Sequence, residues 1–240
     1  MTLRHLFQTL LIHTPLIIAI DKTANPDLSA RLKLTTTTYD RLHVLDNDEA
    51  WTYDFTGAQP IDAFKPGSVK NANAATFPAL TGLDMTLAQL NLGPCAMLPP
   101  HLHPRATNLV MGITGNTTSY MWNENGVRRV TVNLTPGVMT VFPKGTFFSC
   151  RLALSNACMG CDNAFLVSAL NSDDTGTLNV LNGLWEMPPD MIRAAFGDAD
   201  LNIDEMRPHI PGVSYGAAVG SAECLAKCNM NPDGTKKEKK

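Results

Sequence analysis

Between residues 85 and 168, short runs of alternating apolar and polar residues recur at close intervals, the two-residue period of strands with one buried face. Turn-forming residues separate these runs at Gly93-Pro94, Gly115-Asn116, 123–126, Pro136-Gly137 and 143–145, so the stretch predicts a hairpin-rich centre. Upstream, the Thr- and Leu-rich residues 31–37 and the alternating residues 50–55 also read as short strands, and an Ala-, Asn-, Gly- and Pro-rich loop follows over 57–82. Downstream the pattern turns helical. Pro188-Pro189-Asp190 opens a helix over 191–196 that Gly197 closes, and residues 204–209 read as another short helix ended by Pro211-Gly212. The chain thus divides into an N-terminal arm or weak signal peptide over 1–30, a β-rich unit over 31–185, a C-terminal helical extension over 186–230 and a disordered basic tail over 231–240.

Composition narrows the class. The 240 residues can bury a sizeable core, and 44% hydrophobic with 17% charged residues excludes a disordered polyampholyte and a polytopic membrane protein. Nineteen basic residues against 22 acidic ones leave no positive excess to neutralise phosphates, which argues against a nucleic-acid partner. With 17 Gly and 16 Pro, the composition favours an all-β sandwich or barrel. The apolar stretch 6–20 follows Arg4 and His5 but is broken by Gln8, Thr9, His13, Thr14 and Pro15. It falls short of the roughly 20 residues of a membrane span and reads either as a weak signal peptide or as an arm packed on the domain.

The six cysteines are Cys95, Cys150, Cys158, Cys161, Cys224 and Cys228. The pairs 158/161 and 224/228 have spacings a zinc site could use, yet no His lies near either in sequence. Disulfides formed in an oxidising compartment are the preferred reading, with at least one bridge from Cys158 or Cys161 to Cys224 or Cys228, and buried thiols are the alternative. A secretory location follows from the bridges, a cytoplasmic one from the thiols.

His101 and His103 stand at i and i+2 within Pro99-Pro100-His101-Leu102-His103-Pro104, so on an extended strand both imidazoles point to the same side. The longer run over 93–107, the stretch Pro136 to Gly145 with its G-x5-P-x-G spacing, and residues 168–177 together closely resemble germin-like cupins, especially their fungal spherulin-type branch. The resemblance extends from about Thr35 to about Cys228. It implies a double-stranded β-helix, the cupin jelly-roll barrel, with short C-terminal helices. It also implies a manganese-type ion held by three His and one Glu, oxalate or superoxide chemistry, and subunits clasped through the C-terminal helices into a homo-oligomer, a trimer or a multiple of one.

The chain departs from that pattern at the ligands. His101, His103 and Gly115 meet the first motif, but Asn108 takes the Glu position, Phe148 the third His position and Leu152 the Asn position of the second motif. No His lies between residues 103 and 209 to compensate. Two imidazoles and one amide oxygen supply no anionic charge, so no metal ligand and no cofactor is assigned. The expected pocket is apolar with a few polar handles. His101, His103 and Asn108 are its candidate catalytic residues, and Phe148, Met97, Met111, Trp122, Met139 and Phe142 are its candidate lining for a lipophilic small molecule. Three functions are compatible: a metal-independent cyclase or isomerase of the pericyclase type acting on a natural-product intermediate, a secreted non-catalytic spherulin-like protein, and a weak manganese-dependent oxidase or superoxide dismutase.

Overall fold

The computed structural model describes residues 21–57, 64–152, 161–197, 200–210, 212 and 216–237, so the signal-peptide reading of residues 1–20 lies outside the described part. Two antiparallel sheets face one another. The first contains β1 (Gly67–Ala72), β2 (Thr86–Leu92), β4 (Asn108–Thr114), β7 (Met139–Phe142) and β9 (Ala164–Leu170), in the order β1-β2-β9-β4-β7. The second runs β10-β3-β8-β5-β6, from β3 (Ala96–Leu102), β5 (Thr117–Trp122), β6 (Val130–Leu134), β8 (Phe147–Leu152) and β10 (Leu178–Asn179), with β11 (Ala218–Val219) also pairing with β3. Apart from the β1–β2 and β5–β6 hairpins, the strands from β2 to β10 pass alternately between the sheets, the double-stranded β-helix that the family resemblance implies.

The core lies between the sheets. Alternation sends Ala164, Leu166, Ser168 and Leu170 of β9 inward, where Leu166 meets Leu90, Leu98, Val110, Phe142 and Phe148 in one buried cluster. Burying a side chain of this size stabilises the fold by about 1.5–3 kcal/mol, so this cluster is the dominant favourable contribution.

The N-terminal strands expected over 31–37 and 50–55 are absent. Instead α1 (Pro26–Lys33), α2 (Thr38–Val44) and a 3-10 turn (Asp48–Trp51) occur there. Asn25 accepts the Leu28 N–H with Pro26 in the first turn, and Thr37 accepts the Asp40 N–H, so caps start both helices. Leu28 and Leu32 then share one helical face against Leu45 and Ala79, and this packing outweighs the β-propensity of the threonines. The loop expected over 57–82 contains β1, whose polar sequence GSVKNA hides a strand held by six register pairs with β2.

The C-terminal helices match expectation more closely. The helix closed by Gly197 is α4 (Pro189–Phe196), with Gly197 at φ 64°, a left-handed cap that favours glycine. Residues 204–209 fall in α5 (Ile203–Met206) and a 3-10 turn (Arg207–His209). Two helices went unread: α3 (Val180–Trp185) and α6 (Ala222–Lys227). The expected bridge is present as Cys161–Cys228, and a second joins Cys95 to Cys224. Cys158 lies outside the described residues. Cys150 is a buried thiol that desolvation pushes up to about 12, which keeps it unreactive. Residues 231–237, expected to be a disordered tail, fold back so that the Lys237 N–H donates to Asn229 and Met230 bridges Lys236. Among the described residues no helix is long and apolar enough to cross a membrane.

Candidate functional site

The site begins with an irregularity in β3. Ala96 and Leu98 face the core, so strict alternation would turn His101 and His103 outward. The register with β8 shifts between Leu98 and His101, across Pro99-Pro100, and this one-residue correction brings both imidazoles inside. Proline lacks the ladder N–H, which makes the pair a natural place for that shift.

Each ring is then fixed by its Nδ1. His101 Nδ1–H donates to the Pro99 carbonyl at 2.7 Å and His103 Nδ1–H to the Gly176 carbonyl at 2.6 Å. A carbonyl only accepts, so both rings carry their proton on Nδ1 and leave the Nε2 lone pair as the unused atom. Gly176 presents its carbonyl from a positive φ of 63°, where an added Cβ would strike the Arg105 guanidinium at 2.8 Å. Arg105 in turn holds this loop through Asp174 at 2.7 Å. Burial, together with the neighbouring His103, pushes the His101 pKa down to about 4, and burial also lowers that of His103. Both are neutral at pH near 7.

Asn108, the first residue of β4, faces inward, and its Oδ1 accepts from the Ser168 hydroxyl across the sheet at 2.5 Å. That leaves its Nδ2 as a donor. The Phe148 ring lies 4.2 Å from the His101 ring and 5.7 Å from that of His103, and stacks on Phe142 at 4.0 Å. These groups enclose a cavity of about 120 Å³ whose wall also includes Leu98, Val110, Leu170, Thr177 and Asp21.

The structure therefore brings His101, His103, Asn108 and Phe148 together. It does not bring in the remaining candidates, and parity is the reason. Met111 lies three residues from the inward Asn108, and Met139 three from the inward Phe142, so both point outward and pair with each other on the exposed face. Trp122 faces out and stacks on Phe147. Met97 has the parity of His101 in the sequence, but the shift at Pro99-Pro100 separates them and leaves Met97 on the other face. Phe142 is buried behind Phe148 and supports it without forming the cavity wall. His209 is exposed and does not line the cavity. Sequence reading missed Asp21, whose partners Asn71 and Asn73 are about fifty residues away, and Ser168, which strand periodicity could have placed inward beside Leu166.

The manganese-type ion implied by the resemblance can be tested against these donors. Phe148 fills the third imidazole's position, and the Asn108 oxygen is engaged by Ser168. Among the described residues no third His, Cys, Asp or Glu comes within 4.8 Å to complete a set with the two imidazoles. Two neutral nitrogens provide neither the donor number nor the negative charge that offsets desolvation of a hard divalent cation. The residues present do not fit that ion.

Residues 55–203 match the cupin family, and the chain belongs to it. Within the family it is a germin-like cupin of the spherulin-type branch. It is 24% identical to Spherulin-1A of Physarum polycephalum over 210 residues, covering 87% of this chain and 81% of that protein. It is 27% identical to Germin-like protein subfamily 2 member 2 of Arabidopsis thaliana over 155 residues, 62% of this chain and 67% of that one. Among solved structures, recombinant oxalate oxidase in complex with glycolate superposes with a TM-score of 0.60 at 20% identity, covering 70% of this chain and 84% of the other, a likeness of fold alone.

Proposed function

We propose that the barrel cavity is a metal-independent small-molecule site that isomerises or cyclises a lipophilic substrate by moving a proton. The observation that carries this reading is the pair of neutral imidazoles, each with its Nδ1–H held by a carbonyl and its Nε2 lone pair unused. His103 Nε2 takes a proton from the carbon beside a substrate carbonyl, and Asn108 Nδ2–H donates to the oxygen as negative charge develops on it. The imidazolium returns the proton at the far end of the new double bond, so the reaction is redox-neutral. His103 is assigned as the base because it is the less buried of the two, whereas burial holds His101 down at about 4. Phe148, Leu98, Val110 and Leu170 exclude water around the hydrocarbon body.

The volume limits what is enclosed. A cavity of about 120 Å³ holds a benzene-sized ring, so the reacting group sits inside while a longer chain emerges at the mouth. The two bridges support an oxidising, secretory location.

A suitable test follows a β,γ-unsaturated cyclohexenone by ultraviolet absorbance as it becomes the conjugated isomer. Conversion is expected to persist in chelator and to fall by about 10²–10⁴ in His103→Ala, the usual weight of a general base. Saturable binding without conversion would support instead a non-catalytic spherulin-like binding protein. Conversion that requires added manganese would overturn both readings.

A further inference from the structure

The cavity wall carries formal charge at one place. Among the described residues that line it, Asp21 is the single carboxylic acid, and neither Lys nor Arg contributes. Asp21 precedes α1, and its carboxylate turns onto the end of β1, where Asn71 Nδ2 donates to Oδ2 at 3.1 Å and Asn73 Nδ2 donates to the same oxygen. Among the described residues both amides fall on one oxygen, which leaves Oδ1 its acceptor capacity. Arg105, on the neighbouring loop, is occupied by Asp174, whose negative charge adds to the field at Asp21.

Much of the polar wall has the same character, although Asn108 Nδ2, Thr175, Thr177 and Asn179 also line it and can donate. His101 and His103 offer Nε2 lone pairs because their N–H groups are engaged by carbonyls. The Asn71 amide is spent on Asp21 and the Ser168 hydroxyl on Asn108. The cavity therefore joins an acceptor-rich, negatively charged portion to an apolar one formed by Phe148, Leu98, Val110 and Leu170. A ligand that completes it carries a positive charge and several N–H donors on a compact hydrocarbon body, and a primary ammonium has three such donors. Partial desolvation, with a smaller contribution from the Asp174 charge, raises the Asp21 pKa despite its two amide hydrogen bonds, although the residue keeps substantial exposed surface. A small dianion such as oxalate would meet the carboxylate with like charge and no compensating cation.

Granting that the cavity is an organic-ligand site, we propose that it is selective for a small apolar primary amine, held as its ammonium by Asp21 with the hydrocarbon body against Phe148. The test is calorimetric titration near neutral pH, in chelator, with benzylamine, benzyl alcohol and benzoate as probes of one shape and three charges. Benzylamine is expected to bind about tenfold or more tighter than benzyl alcohol, as a charge-assisted hydrogen bond implies, and benzoate more weakly than either. Asp21→Asn should bring amine and alcohol to similar affinity, with retained benzyl alcohol binding showing that the cavity is intact. Benzoate binding as well as the amine, or an amine preference that survives Asp21→Asn, would overturn the proposal. Equal amine and alcohol binding in the wild-type protein defeats the proposal and leaves the organic-ligand reading standing, whereas failure of all three probes defeats both.

Discussion

His101 and Phe148 carry opposite consequences for protons and for metals. The folded pKa of His101, about 4, lies below the ordinary 6.5, so as pH falls through 6.5 the unfolded chain binds a proton that the folded chain refuses. The associated stability is complete above pH 6.5 and is lost as pH falls toward 4. It amounts to on the order of 3 kcal/mol, and His103 acts in the same direction. The urea midpoint should therefore drop between about pH 7 and about pH 4.5, and an unchanged midpoint would contradict the burial argument. At Phe148, an imidazole would join the existing pair from ring distances of 4.2 and 5.7 Å. Phe148→His is expected to raise cobalt or zinc affinity by at least about tenfold and to lower isomerisation by reshaping the cavity. Visible absorbance of a cobalt complex reports the first effect; an equally strong complex in the wild-type protein would show that Phe148 is not what denies the site its ion.

Strand β3 shows how an element can reverse a residue-level expectation. Alternation from Ala96 and Leu98 places the histidines outside, whereas the shift over Pro99-Pro100 admits them and leaves Met97 out. The same strand anchors the C-terminal segment, because β11 pairs with it, Gly220 N–H donates to the Cys95 carbonyl, and the Cys95–Cys224 bridge fastens α6 to the turn before it. The second bridge closes a sequence separation of 67 residues, so it restrains the unfolded chain strongly. Replacing both Cys161 and Cys228 by Ser should cost about 2–5 kcal/mol in urea unfolding, and a cost near zero would mean that packing alone holds the segment. The N-terminal helices taught the converse. Their caps, Asn25 and Thr37, were present in the sequence, but the apolar face they serve is completed by Ala79, from a distant turn.

At the scale of the molecule, the exposed apolar residues include Leu87, Leu109, Met111, Met139 and Val141 on the outer face of the first sheet, and Met191 with Phe196 on α4. Ile192 of the same helix is spent internally against Trp185 and Ile203, so Met191 and Phe196 are left exposed and are the residues proposed to meet a neighbour. A trimer or a multiple of one is expected by light scattering, and Met191→Asp with Phe196→Asp should shift it toward monomer; a wild-type monomer at micromolar concentration would remove this expectation. The sequence by itself determined the all-β class, the cupin barrel through its resemblance, the paired histidines, the loss of a carboxylate and an imidazole at Asn108 and Phe148, and a bridge between the 158/161 and 224/228 pairs, while the structure selected Cys161 and Cys228. The histidine pair and the two lost ligands are carried by residue identity and short-range spacing, and the barrel and the bridge by motif resemblance and cysteine count, none of which needs knowledge of spatial neighbours. Only the tertiary structure decided which aromatic and Met side chains face the cavity, because one register shift inverts every following side chain. It alone also brought Asp21 to Asn71 and Ser168 to Asn108, since contacts between residues fifty or sixty positions apart are fixed by strand order and by the path of the chain, of which local sequence carries no trace.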